Sequence, residues 1–306
     1  MKHFLILLLV ANIWGFAFVA QKAGMQYIGP FAFNGIRFLL GVICLIPILF
    51  FKIIKTNYKR KNNYNITIKS GIILGFVLFI AAAFQQVGII KSTAGNAGFI
   101  TSLYIIIVPF FGIFLKQKVT KEVWSGAILA LIGLYFLSIN YQFQMAPGDG
   151  LILISSIFWA LHIILIGHYA PKTNVLLLSI IQFFVSAILN LSIATIFEVI
   201  HLSMIHKALY PILYGGIMSI GVAYTLQAIG QRKVTASKAA IILSLESVFA
   251  MLGGIIILKE ILTIRKGTGA LIMLIGLIIS QIKIKCFTPK SSKKVNKINS
   301  KMNENN

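Results

Sequence analysis

The sequence predicts an all-α integral membrane protein whose ten transmembrane helices form two inverted five-helix repeats. Three observations predict it. Runs of about 20 apolar residues, the length that spans a bilayer as a helix, recur along almost all 306 residues, with 58% hydrophobic and only 11% charged. Lys and Arg fall between those runs with a strong bias to alternate loops. The two halves also repeat one pattern. The alternating ten-residue segments of a transmembrane barrel are absent.

Taken in order, the first five spans are 4–23, 31–51, 70–90, 95–115 and 123–139. The polar link "NYQFQMAPGDG" precedes spans at 151–169, 176–197, 211–231, 236–258 and 263–282. The opening "MKHFLILLLVANIWGFAFVA" is read as a retained span: Phe18 stands where a signal cleavage after Ala20 needs a small residue, and Asn12 and Trp14 interrupt the apolar core. With the N-terminus in the cytoplasm, inside segments carry 21 of the 28 Lys and Arg and outside segments 6, while Arg37 lies within a span. That asymmetry places both termini inside. The net charge of +22 thus sets orientation. The loop Lys52–Lys69 and the tail, a disordered basic segment at 283–306, meet anionic lipid at the cytoplasmic leaflet. Basic patches interleaved with aromatics are missing, so a nucleic-acid partner is not expected.

The repeat runs from Lys91 and from Lys233. With a single-residue gap both stretches read K-x-T-A, an apolar run, a charged turn near Lys116 or Lys259, then G-A and I-G-L. Upstream, Gln85 falls opposite Gln227 and Trp14 opposite Trp159. Five spans per half is an odd number, so the second half must enter the membrane inverted. Inverted five-span halves place a binding site near the midplane between them. The repeats are drawn at 4–139 and 148–282.

The stretches "NAGFITSLYIIIVPFFG", "WSGAILALIGLYFLS", "AYTLQAIGQRKVTASKAAIILSLESVFAMLGG" and "KEILTIRKGTGALIMLIG" resemble a two-domain EamA-type member of the drug/metabolite transporter superfamily. The resemblance covers residues 4–282. It implies ten helices in two inverted EamA repeats, a bacterial inner membrane location, and movement of small metabolites or drugs, often outward, by alternating access. The chain departs from many members where Ser247 follows the ninth-helix glutamate in place of Pro. It departs again at Gln117, where Glu is common; the second half keeps Glu260.

Glu246 stands about mid-span, roughly 15 Å from either end at about 1.5 Å per residue. A carboxylate stranded in lipid costs about 2.5–3.5 kcal/mol on insertion scales, so the side chain must face the protein interior. It binds a cationic substrate, carries a coupling proton, or fixes helix packing through hydrogen bonds. Arg37 pairs with Glu246, receives an anionic group, or snorkels to the interface. His162 is a proton relay or a packing residue. Gln85 and Gln227 face a central cavity or bond between helices. Tyr104 aligns with Glu246 to within a turn. With Tyr224, Trp14, Trp159, Asn12 and Asn96 it forms a candidate aromatic and polar lining suited to amines or amino acids, though Trp and Tyr also anchor at interfaces. Pro109 and the pair Gly253 and Gly254 are candidate hinges, or sites of close packing.

Function follows as secondary transport of amino acids, amines or drug-like compounds. Uptake and lipid-linked cargo are the alternatives within transport. The chain has no G-x-x-x-x-G-K-[ST] loop for ATP. No cofactor is expected, and no metal site, because Cys44 and Cys286 are far apart. A lipid-modifying membrane enzyme would want clustered acids, yet Glu122, Asp149, Glu198, Glu260 and Glu304 are scattered.

Overall fold

The computed structural model describes residues 1–55, 64–114, 119–138, 146–258 and 263–281; Gln117, Glu260, Glu304, Cys286 and the tail 283–306 lie outside them. All regular structure among the described residues is helical. The first half contains α1 (Lys2–Gly24), α2 (Pro30–Lys55), α3 (Tyr64–Ile90), α4 (Ala94–Thr101), α5 (Tyr104–Phe114) and α6 (Lys121–Ser138). The second contains α7 (Asp149–Tyr169), α8 (Val175–Phe197), α9 (Leu202–Lys207) and α10 (Leu209–Leu213). It continues through a π-helical stretch (Tyr214–Tyr224) to α11 (Thr225–Gln231), α12 (Ala236–Leu243), α13 (Glu246–Leu258) and α14 (Ile264–Gln281). Taken end to end, α4 with α5, the stretch Leu209–Gln231, and α12 with α13 are single crossings. Nine such stretches among the described residues are long and apolar enough to span a membrane. The tenth crossing of the fold is the 18-residue α6, which packs chiefly against α14.

Packing follows the internal repeat. α2 packs on its own counterpart α8, and α6 on its own counterpart α14. The contact of α3 with α7 is matched by that of α1 with the Leu209–Gln231 crossing, and α1 with α13 by α7 with α5. The molecule is turned inside out relative to a soluble domain, as lipid requires. Ile43, Ile46, Phe50, Ile256 and Ile278 are exposed, whereas Gln85, Gln86, His162, Gln182, Asn190 and Glu246 are buried. Lipid offers no hydrophobic drive between helices, so close approach and hydrogen bonds hold them.

The α6–α14 seam shows how close that approach is. A Cβ on Gly133 would lie 2.5 Å from the Gly269 carbonyl, and one on Gly126 2.6 Å from that of Gly276. These four glycines are those of the repeated G-A and I-G-L motifs, meeting across the pseudo-two-fold axis.

Polar ties close both ends of the bundle. At the α1–α2 end, the Glu198 carboxylate accepts the N–H groups of Phe31 (2.9 Å) and Ala32 (2.7 Å), capping α2 from the other half. Lys22 donates there to the carbonyls of Ile89, Ile90 and Ser92, tying off α3. At the opposite end Asn174 caps α8, and Arg232 donates to the Ala170 and Thr173 carbonyls. Glu198→Ala removes an N-terminal cap, and such caps contribute about 1 kcal/mol. Thermal unfolding in detergent should register that loss, with Glu198→Gln retaining part of it through its amide oxygen.

Candidate functional site

Both repeats break one crossing at the same position. Thr93 caps α4 by accepting the Asn96 N–H, and the helix runs to Thr101. There the ladder tightens: Leu103 N–H donates to Ile100 and Ile105 N–H to Ser102, three residues back instead of four. In the second half Leu245 donates to Ile242 and Ser247 to Ser244, the same bonds 142 residues later. The breaks therefore fall at Ser102–Leu103 and Ser244–Leu245. Pro109 lies inside α5 and Gly253 and Gly254 inside α13, where both helices continue, so the interruptions expected at those residues are displaced by about two turns. Gly253 instead admits Phe16 of α1, whose ring a Cβ would approach to 3.1 Å.

The breaks set the central carboxyl. Glu246 is the first residue of α13 and Tyr104 the first of α5. The Tyr104 hydroxyl donates to Glu246 Oε1 at 2.9 Å, and Ser102 Oγ reaches the same oxygen at 3.5 Å. Glu246 is 3% exposed. Two hydroxyls thus hold an acid where lipid alone would not. The α1 backbone passes directly over it at Gly15, where a Cβ would lie 2.6 Å from the Glu246 carbonyl.

Glu246 lines a partly open pocket between the halves, about 450 Å³ of non-atom space with its open mouth included. Eight of the expected residues meet there: Trp14, Arg37, Gln85, Tyr104, Trp159, Tyr224, Gln227 and Glu246. Arg37 neither snorkels nor pairs with Glu246. It is 3% exposed, donates from Nε to Asn34 Oδ1 at 2.9 Å, and sits over the rings of Phe33 and Phe38 at 5.5 and 5.3 Å. Trp14 and Tyr224 pack at 4.6 Å between ring centroids, and Trp159 and Tyr224 at 6.0 Å, making an aromatic wall.

The two matched glutamines differ. Gln85 accepts from the Trp159 indole N–H and donates to Gln21 at 3.3 Å. Gln227 lines the cavity with neither amide atom partnered. Trp14, the repeat counterpart of Trp159, donates only a long bond of 3.4 Å to the Ser219 carbonyl within the π-helical stretch.

Three expected lining residues lie elsewhere. Asn12 is two residues from Trp14, about 200° around the helix, and only half-buried. Asn96 is in the first turn of α4 at the bundle end, donating to Asp149 at 3.5 Å. His162 stands behind the rings of Trp159 and Tyr224, bonded to Gln182 at 3.0 Å. Conversely, Gln21, Thr101 and Ser219 line the cavity without having been singled out. Gln21 and Thr101 had a readable signal. Gln21 lies two helical turns from Trp14, and Thr101 lies next to the Ser102 that repeats as Ser244. Ser219 owes its place to π-helical winding, which pattern does not reveal. Among the described residues no cluster of His, Cys, Asp or Glu is fit to hold a metal.

The sequence matches the model of the EamA-like transporter family over residues 1–139 and 146–281. The chain belongs to that family. As an EamA-like protein it is similar to an uncharacterized transporter of Archaeoglobus fulgidus, 34% identical over 279 residues covering 91% of this chain and 85% of the relative. It is also similar to the uncharacterized transporter YoaV of Bacillus subtilis, 24% identical over 285 residues covering 91% and 96%. A solved crystal structure superposes with a TM-score of 0.74 at 15% identity, covering 92% of this chain and 98% of that one, which shows the shared fold. The EamA-like chain is thus a multi-pass membrane protein of a transporter family.

Proposed function

We propose that this EamA-like protein is a secondary transporter exporting small metabolites across the bacterial inner membrane by alternating access, both termini being cytoplasmic. The cargo we favour carries both an amino and an acidic group, amino acids foremost. One observation carries that choice. Glu246 and Arg37 line a single cavity without pairing with each other, so an acid and a cation both face the space a substrate would fill. The aromatic wall between them accommodates an apolar or aromatic side chain, and a cationic amine favours such rings as well as the carboxyl. Outward direction and inner-membrane location are carried over from the family resemblance. The bias of basic residues supports the orientation.

Metabolite profiling of medium and cytoplasm tests this in matched strains carrying wild type, Arg37→Met or empty vector, at equal membrane abundance. Compounds with both groups should accumulate outside only with the wild type. A charge-assisted hydrogen bond contributes about 1.5–3 kcal/mol, so Arg37→Met should lower their export roughly tenfold or more. Export limited to amines and insensitive to Arg37 would replace the amino-acid reading. Accumulation inside the cells would make the protein an uptake system.

A further inference from the structure

We infer a second substrate-contact site at His162 and Gln182, buried in this structure and exposed when the cavity opens towards the α7–α8 end. The inference rests on the alternating-access reading above and extends it to residues that do not line the present cavity.

The two repeats correspond residue by residue at this point. α2 begins at Pro30 and α8 at Val175, 145 residues later, the same spacing that relates Trp14 to Trp159. Arg37 and Gln182 are each the eighth residue of their helix, and Asn34 corresponds to Ser179. The two helices pack against each other, each being the other's repeat counterpart. Arg37 therefore sits about two turns from the α1–α2 end and Gln182 about two turns from the α7–α8 end. By the same spacing His162 corresponds to Ala17, a cavity-lining residue.

The side chains are in opposite states. All four are buried, but Arg37 and Ala17 line the cavity, whereas His162 lies behind the rings of Trp159 and Tyr224 with Gln182 bonded to it. The second set is not satisfied there: His162 Nδ1, Gln182 Nε2 and Ser179 Oγ have no hydrogen-bond partner. Buried polar atoms in a membrane interior are costly when unpaired, and most find a partner or water. Three on one patch mark a surface suited to a wet or liganded environment.

The tryptophans point the same way. Trp159 is held by Gln85, while the equivalent pair of Trp14 and Gln227 is open, leaving both Gln227 amide atoms unpartnered. When inverted repeats exchange conformations, access moves to the opposite side of a fixed site. Here exchange closes Trp14 onto Gln227, releases Trp159 from Gln85, and brings Gln182 and His162 to the cavity wall while withdrawing Arg37 from it. Tyr224, which has Ala82 as its counterpart, must swing aside with Trp159. The two routes then differ in chemistry. A guanidinium receives an acidic group on the α1–α2 route, and neutral amide, imidazole and hydroxyl groups receive it on the other.

Cysteine accessibility of the full-length protein tests this in oriented membrane vesicles, in a Cys44→Ala, Cys286→Ser background. Single cysteines replace Ala17, Ser179, Gln182 and His162, and a small membrane-impermeant methanethiosulfonate is added from one face at a time. Ser179→Cys is nearly isosteric, so it reports even if His162→Cys fails to fold. Labelling of 179, 182 and 162 from the α7–α8 face, and of 17 from the α1–α2 face, is expected. If 17 is labelled from both faces and the other three from neither, access alternates without exposing this patch, and the second site is overturned. If 17 is labelled from one face only and the three from neither, the patch stays covered and the second site is again overturned; substrate counterflow in the same vesicles then reads alternating access separately, its loss overturning that reading as well.

Discussion

Glu246→Gln is expected to cut gradient-driven transport at least roughly tenfold, while leaving membrane abundance and thermal stability near wild type. The amide is almost the same size and its oxygen still accepts the Tyr104 hydroxyl, so the packing beneath Gly15 has no reason to move. What is lost is the capacity to carry a negative charge or exchange a proton. Loss of one charge-assisted contact, at about 1.5–3 kcal/mol, corresponds to a fall of roughly tenfold to a hundredfold. Two assays in reconstituted vesicles separate its roles. Substrate exchange without a gradient should persist in Glu246→Gln if the carboxyl carries the coupling proton, and should fall with net transport if it grips the substrate. Wild-type rates in both assays would make Glu246 a packing residue held by Tyr104 and Ser102, and the coupling role would be wrong.

Gly133→Leu should have the largest effect on stability. The Cβ alone would press on the Gly269 carbonyl at 2.5 Å and the Met273 amide nitrogen at 2.7 Å. These are backbone atoms, which cannot rotate away as a flexible side chain would. Overpacking of that kind typically costs about 1–3 kcal/mol and occasionally more. With α6 held mainly by α14, we expect a sharply lower unfolding temperature in detergent and reduced membrane yield. Gly267→Leu is the control. It lies on the same α14, nothing stands within 4 Å of its Cβ, and leucine is the better helix former. Equal losses from both would show that the seam is not what holds α6.

The two residues also show why the sequence was readable in parts. Apolar length and the placement of Lys and Arg follow from one-dimensional physics, because a bilayer fixes span length and charge fixes side. The repeat told that Gln85 matches Gln227 and that the G-A and I-G-L glycines recur. The inverted halves then follow from counting spans. Burial of Glu246 followed from the cost of a carboxylate in lipid.

The partners were not legible, because they depend on which helix faces meet. Arg37 was free in the sequence to pair with Glu246, and only packing set it over Phe33 and Phe38 beside Asn34. His162 had the chemistry of a cavity residue, yet the Trp159 and Tyr224 rings cover it. Pro109 and the paired glycines were the natural places for a helix to bend. The bend went to Ser102 and Ser244, where two crossing helices meet at the pseudo-two-fold axis and each tightens by one residue. Composition and pattern thus determined a ten-span inverted repeat with an acid at its centre. Tertiary structure alone decided which polar groups share the cavity, since contacts between distant segments depend on the relative rotation and depth of packed helices, which no local pattern encodes.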